Sequence, residues 1–411
     1  MTRFCGRRLG GAVVAGFCAV ALSVNAADPP KKPQQPDKFL PNPLELTTPD
    51  PLLPGGLNRP LSEPERQTLR KALDDLNTQA IAKLRAGDVP GSFEIWNREL
   101  RLRRALGFLE EVQALGRVGD IAWRQNLNTQ VRFITNRLSA IQTQVQRPLQ
   151  NQVTLPDRAQ IFPALGIAFQ QVRSPGLALN VYQQMLQEAR TRKDVVAEVN
   201  LLNTIGQLHL SWFDYPPAIA TYEELLKLAR SRNDNANVVA NLVQLAYTHE
   251  QAKQPTQAVT YQQQLIEIYQ KNPAQAILVA ALKIKQGDNF VASQQFEAAE
   301  KVYQDAFQLA QPLGQFAYAS DALRKLGLLY RSNNRLDAAL QVYNYLAGVQ
   351  QQAYDTYGVM DAFDQIGQIQ LQRNAPAEAA KAFQQGLEVA KQINYRVDYF
   401  TQQIQKLQTV Q

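Results

Sequence analysis

The chain has two histidines, His209 and His249, and they stand 40 residues apart. Paired imidazoles are the raw material of a metal site, because each ring has a nitrogen lone pair to give. Phe169, Phe290 and Tyr330 hold the corresponding place in other copies of the 40-residue pattern described below. Packing of both rings between helices is therefore the favoured reading, and metal ligation the rival. Carboxylates offer a second chemistry. Asp361 with Asp364, and the adjacent Glu110 and Glu111, could share a proton or a cation. Their spacing puts them on or near one helix face, as it does for ordinary solvated acids. There is no Gly-rich phosphate loop, no Ser/His/Asp order and no carboxylate pair in a catalytic frame. The sequence thus predicts no catalytic residue, no cofactor, no metal site and no enzyme. A basic run, Arg98, Arg101, Arg103 and Arg104, follows Trp96. It suits an acidic partner or lipid headgroups, and hence peripheral membrane association. Ion pairing to Glu99, Glu110 and Glu111 on a solvated helix face is the favoured alternative.

The segments that carry these residues differ sharply in composition. Residues 1–26 read as a secretory signal peptide: basic through Arg8, apolar from Leu9 to Val24, with Val24 and Ala26 at the positions a signal peptidase checks and a cut after Ala26 or Ala27. The apolar run is shorter than the roughly 20 residues that span a bilayer. An uncleaved anchor is the alternative. Both cysteines, Cys5 and Cys18, fall in this leader, so the remainder has no thiol for a disulfide, a zinc cluster or a nucleophile. That suits an oxidising compartment. The formal charge of +7 drops to +4 without Arg3, Arg7 and Arg8, leaving 40 basic and 36 acidic groups. Nucleic acid is not an expected partner at so mild a charge. Residues 27–63 are proline-rich, and proline gives no backbone donor to a helix or ladder, so a disordered, extended linker is expected.

Beyond the linker a repeat sets in. Gly166, Gly206, Ala246, Gly287, Gly327 and Gly367 are spaced by 40 residues, once by 41. Twelve residues after each comes an alanine: Ala178, Ala218, Ala258, Ala299, Ala339 and Ala379. Sixteen after comes an aromatic: Tyr182, Tyr222, Tyr303, Tyr343 and Phe383, with Tyr261 one place early in the third copy. The small residues let two helices of a hairpin approach closely, and the aromatic is expected to fill the wedge between neighbouring hairpins. Apolar seams such as Leu323, Leu326 and Tyr330 complete each helix, and Asn333-Asn334 and Asn374-Ala375-Pro376 mark turns.

This order resembles the tetratricopeptide repeat (TPR) signature, read most fully in Leu323–Tyr330 with Ala339, Tyr343 and Leu346. It covers about residues 155–389 and departs in length, since the usual unit has 34 residues. The resemblance implies an all-α, right-handed superhelix, an α-solenoid of about six 40-residue hairpins with a concave inner face. The expected division is 64–150 as an N-terminal helical region of degenerate repeats, 151–390 as the array and 391–411 as a C-terminal capping helix. On the face the resemblance makes inner lie Asn200, Asn203 and Gln207, then Asn237, Asn241 and Gln244, whose amides can hold the backbone of an extended peptide. Asp321, Arg324 and Arg331, and then Asp361, Asp364 and Gln368, would continue the groove. The function implied is a scaffold that binds a protein or peptide partner, exported to a periplasm or thylakoid lumen. Leader, repeats and glutamine-rich helices are similar to those of cyanobacterial envelope TPR proteins, some of which assist photosystem II assembly. An envelope-anchored structural protein and a metal-carrying chaperone using His209 and His249 are the competing expectations.

Overall fold

The computed structural model describes residues 42–46, 49–54, 60–146 and 155–408. The leader, the linker up to residue 41 and at 47–48 and 55–59, residues 147–154 and the last three residues lie outside them. The described residues form 17 α-helices and no strand beyond a single bridge between Asp50 and Leu53. Two N-terminal hairpins come first: α1 (Glu63–Arg85) with α2 (Val89–Arg103), and α3 (Phe108–Arg124) with α4 (Asn128–Gln146). Six further hairpins follow: α5 (Leu155–Gln171) with α6 (Pro175–Thr191), α7 (Val195–Ser211) with α8 (Tyr215–Ser231), and α9 (Asn235–Gln251) with α10 (Pro255–Gln270). After these come α11 (Val279–Ala292) with α12 (Phe296–Ala310), α13 (Phe316–Ser332) with α14 (Leu336–Gln352), and α15 (Thr356–Gln372) with α16 (Pro376–Gln392). A last helix, α17 (Val397–Gln408), covers the end. Each helix packs on the next in sequence, with α3 rather than α4 as the main contact of α5. The molecule is an α-solenoid of TPR-like hairpins.

The 40-residue unit has a simple origin. Most array helices are 17 residues long and are joined by three-residue turns. In each such turn the middle residue is left-handed: Arg173, Lys193, Phe213, Asn233, Lys253, Gln294, Asn334, Tyr354 and Asn374 all have φ between 55° and 60°. That geometry lets the next N–H reach back over the helix end. Asp355 N donates to Gln350 O at 2.9 Å and Tyr354 N to Gln351 O at 3.1 Å, the paired bonds of a Schellman cap. The third turn residue then opens the following helix, as where the Asp194, Asp234 and Asp355 carboxylates accept from Ala197, Asn237 and Gly358 N. Proline at the first turn of α6, α8, α10 and α16 reinforces the start. The one 41-residue step falls where a longer connection with a 3-10 turn, Ala276–Leu278, separates α10 from α11.

The repeat aromatics have a specific seat. Each ring lies on the glycine of its own hairpin. A Cβ built on Gly166 would come within 2.5 Å of the Tyr182 ring, on Gly327 within 2.8 Å of Tyr343, and on Gly367 within 2.5 Å of Phe383. Gly206 and Gly287 carry Tyr222 and Tyr303 in the same way. The anchor is thus the floor of an aromatic socket, closed by an alanine such as Ala178 or Ala339 with no exposed surface. In the third array hairpin both members change together. Ala246 replaces glycine and Gln262, buried, replaces the ring, its Nε2 donating to Glu250 Oε1 at 2.8 Å. Tyr261, one place early, stacks on His249 instead, 5.3 Å between centroids.

One expectation for the linker is overturned. The described parts of residues 42–54 form a strap folded against α2, with Leu44 and Leu53 buried. Leu44 joins the core of Trp96, Leu100 and Leu115, so these residues are not a free tether.

Candidate functional site

Stacking at a 40-residue period carries any exposed position of a first helix into a row along the solenoid. The position immediately after the socket glycine is such a row: Ile167, Gln207, Tyr247, Asp288, Leu328 and Gln368. Ile167 is 53% exposed, Tyr247 49% and Leu328 49%; Gln207 and Asp288 are exposed as well, and Gln368 half-buried. Three or four residues along a helix share a face, which adds Asn203 and the exposed Val243 beside the row. Lys325 Nζ reaches Asp288 Oδ1 at 2.8 Å, tying α13 to α11 along its side. Asp288 also accepts the Tyr303 hydroxyl at 2.7 Å, and this hydrogen bond adds to burial in pushing the Tyr303 phenol well above its usual range. The row alternates apolar with amide and carboxylate groups, a surface that can take both the side chains and the backbone of an extended segment.

The predicted site residues fall into three groups against this row. Asn200, Asn203 and Gln207 stand six and three before and one after Gly206, in register with it. Asn200 and Gln207 are exposed, and Asn203 is half-buried with Nδ2 on Val199 O at 3.0 Å. Asn237, Asn241 and Gln244 are out of register, because on α9 the equivalent positions are Ala240, Val243 and Tyr247. Asn241 is buried and donates to Asn237 O at 2.8 Å; Asn237 donates its backbone N and its Nδ2 to the capping Asp234 carboxylate. Asn200, Asn237 and Asn241 nevertheless meet at one depression of about 260 Å³ between α7, α8 and α9, with Arg232 and Asp234 on its wall. The third group is tied up within the fold. Arg331 donates to Gln365 Oε1 at 2.7 Å, and Arg324 lies 3.4 Å from Asp321. Asp364, buried, accepts from Arg396 Nη2 at 2.6 Å and the Tyr399 hydroxyl at 2.7 Å. Burial, and then Asp364 next to it, raise the Asp361 carboxyl above its ordinary value. Arg396 also lies 4.2 Å from the Tyr399 ring centroid, so α17 seals this end of the row and Asp364 is a capping contact rather than a groove residue.

The residues that sequence reading missed are the apolar members Ile167, Val243, Tyr247 and Leu328. Their signal in the sequence is a fixed offset of one residue from each anchor.

Both histidines are held by their own turns. His209 Nδ1 lies 3.0 Å from Asp214 Oδ2 and His249 Nδ1 2.7 Å from Gln254 Oε1, with each ring buried. Among the described residues no group of three or more His, Cys, Asp or Glu could hold a metal ion.

The arginine run divides. Arg103 turns into the N-terminal hairpins, to Asp74 at 2.5 Å, Glu99 at 3.1 Å and Glu110 at 3.2 Å. Arg98 grips Asp50 with two nitrogens at 2.7 and 2.9 Å, Arg101 Nη1 donates to Pro43 O at 2.7 Å, and Arg104 Nη2 to Leu44 O at 2.6 Å. The Arg98 hydrogen bonds hold the Asp50 carboxyl below the usual carboxylate range. The run is therefore no open basic patch. No helix among the described residues is long and apolar enough to cross a membrane.

Residues 239–272, most of α9 and α10, match the tetratricopeptide repeat model. The chain contains a tetratricopeptide repeat. No curated protein matches it at a significant level. Among solved structures it is similar to BtubC (BKLC) from P. vanneervenii, at 19% identity and a TM-score of 0.38, covering 53% of this chain and 91% of that one. It is also similar to a STAND signal-transduction ATPase with a tetratricopeptide repeat sensor from Pyrococcus horikoshii, at 14% identity and a TM-score of 0.42, covering 77% and 49%. A third is aspartyl phosphate phosphatase F from Bacillus subtilis, at 15% identity and a TM-score of 0.39, covering 74% and 79%. Each likeness is one of fold.

Proposed function

We propose that this TPR-containing chain is an exported, non-enzymatic scaffold that holds an extended segment of a partner protein along the first helices of its array. The observation that carries the reading is the exposed row Ile167, Gln207, Tyr247, Asp288, Leu328. Three large apolar side chains stay in water at equivalent positions of separate hairpins, where the fold itself gives them nothing to cover. Asn200, Asn203 and Gln207 supply amides beside them for the partner's backbone. The leader and the thiol-free remainder support export to a periplasm or thylakoid lumen. A role in assembling a membrane complex, of the photosystem II type, extends the same reading.

The test is affinity capture from the native envelope fraction with three forms of the full chain. Tyr247→Asp with Leu328→Asp should lose the captured protein at least tenfold, whereas Tyr345→Asp, an equally exposed ring on the second helix α14, should retain it. Equal retention by all three forms would place binding off the row.

A further inference from the structure

The strap shows what the outer face of α2 recognises. Pro43 and Leu44 present their carbonyls to Arg101 and Arg104, Glu45 lies 3.3 Å from Arg104, Asp50 is gripped by Arg98, and Leu44 alone is sunk to 1% exposure. Two of these contacts go to backbone and two to carboxylates, so the face reads a short chain folded into turns, with buried leucines and flanking acids. Among the described residues Arg98 and Arg101 make hydrogen bonds only to the strap. The strap in turn closes its backbone bonds locally, Glu45 N to Asn42 O and Leu53 N to Asp50 O, with side-chain turns at Asn42 and Asp50. Among the described residues it shares no backbone–backbone hydrogen bond with a helix, so it can leave without breaking one.

We propose that the Arg98–Arg101–Arg104 face is a second binding site, separate from the row on the first helices, for an acidic, leucine-bearing segment of a partner protein. Residues 42–46 and 49–54 are its resident ligand in cis, and a partner binds by displacing them. Charge complementarity selects the occupant: Arg98 and Arg101 on α2 and Arg104 in the 3-10 turn that follows it meet the strap side by side. Arg104 also pairs with Glu111 at 3.3 Å, while α2 supplies no carboxylate to Arg98 or Arg101.

The experiment uses the full chain and, as probe, a fluorescent peptide with the sequence of residues 42–54. Opening the site with Asp50→Lys, and more strongly with Leu44→Asp added, should tighten peptide binding at least tenfold over wild type. Adding Arg98→Glu to the opened chain should abolish it, and a peptide with asparagine for aspartate and glutamine for glutamate should bind at least tenfold more weakly. Circular dichroism checks that helicity is unchanged. If the doubly substituted chain fails to fold, Asp50→Lys alone decides, with a threefold gain as the threshold. No gain in an opened, fully helical chain overturns the proposal, as does binding that survives Arg98→Glu. Light scattering that shows the opened chain pairing with wild-type chain, with no uptake of peptide, makes a second copy the occupant and overturns the partner assignment.

Discussion

The two N-terminal hairpins and the six array hairpins solve the same packing problem with different chemistry. In α1–α4 the buried joints are ionic. Glu99, with no exposed surface, lies between Arg103 at 3.1 Å and Arg117 at 2.7 Å, and Glu111 between Arg137 at 2.5 Å and Arg104 at 3.3 Å. In the array the joint is a ring on a glycine, repeated five times and varied once. An ionic joint depends on several partners with correct geometry and cannot be copied by repeating one residue. A socket needs only a small residue and a ring sixteen positions on, which is why it recurs in register. The first tyrosine of the chain is Tyr182, so the ionic region is also free of phenols.

The largest expected effect probes the ionic side. Glu99→Ala takes the buried carboxylate from Arg103 and from the one-third-exposed Arg117. Because Arg103 keeps Asp74 and Glu110, the loss should fall at or below the lower end of the roughly 3–5 kcal/mol typical of a fully buried pair, on the order of 3 kcal/mol. Hydrogen exchange should show α1–α4 losing protection while α13–α16 keep it. Loss of protection throughout would mean that the joint between α3 and α5 welds the two regions into one cooperative unit.

Alkali should act in the opposite sense, on the array. Burial pushes the Tyr343 phenol up to about 12, from an ordinary 10 in the unfolded chain. Below pH 10 both states hold the proton and the stabilisation is complete. Between pH 10 and 12 the unfolded chain ionises first, and stability falls by on the order of 2–3 kcal/mol for a two-unit shift, with no further loss above 12. Tyr182, Tyr222 and Tyr303 are raised by burial too and add to the same trend. Urea melts at alkaline pH, followed by tyrosine ionisation for α5–α16 and, in a Trp212→Phe chain, by the fluorescence of Trp96 and Trp123 for α1–α4, should show the array opening first. If the tyrosine-free hairpins open first, the phenols do not control alkaline stability.

The array was legible because a glycine, an alanine and an aromatic at fixed offsets are a one-dimensional record of one socket. The N-terminal hairpins carry no such record for the converse reason: Glu99 with Arg117 and Glu111 with Arg137 pair across three helices, and no spacing in the sequence announces it. The same limit explains the site. Asn200, Asn203 and Gln207 were found by helical spacing, but Asn241 was matched to them by residue type and proved to be buried. The strap was read as a tether from its prolines, and the anchoring of Leu44 and Asp50 depends on arginines some 50 to 60 positions away.

A milder perturbation tests whether the socket is a true pair. In the third array hairpin Gln262→Tyr alone drives a ring against the Ala246 methyl, with a cost of about 1–3 kcal/mol for overpacking. Ala246→Gly with Gln262→Tyr rebuilds the socket of the other hairpins and should recover about 1–2 kcal/mol as a coupling term in a double-mutant cycle. Additive effects would mean that glycine serves these helices for some reason other than the ring.

The smallest effect concerns the turns, where the two regions also part. The N-terminal hairpins place Gly87, Gly107 and Asn126 at positive φ, residues that tolerate it. The array places Arg173, Lys193, Phe213, Lys253, Gln294 and Tyr354 there. Tyr354 has φ 58° and is 93% exposed, so its ring recovers almost nothing by burial for a conformation that costs an L-residue about 1–2 kcal/mol. Glycine removes that strain and gives back roughly 0.5–1 kcal/mol through its more flexible unfolded chain. Tyr354→Gly should therefore raise stability by about 0.5–1 kcal/mol, with Asn374→Gly closer to neutral because asparagine already suits the left-handed region. A Tyr354→Gly chain that melts earlier than wild type would show that the ring makes a stabilising contact at the turn. A chain that melts later but captures its partner less well would instead show that the strain is kept for binding, and would extend the docking surface from the first-helix row to the turns.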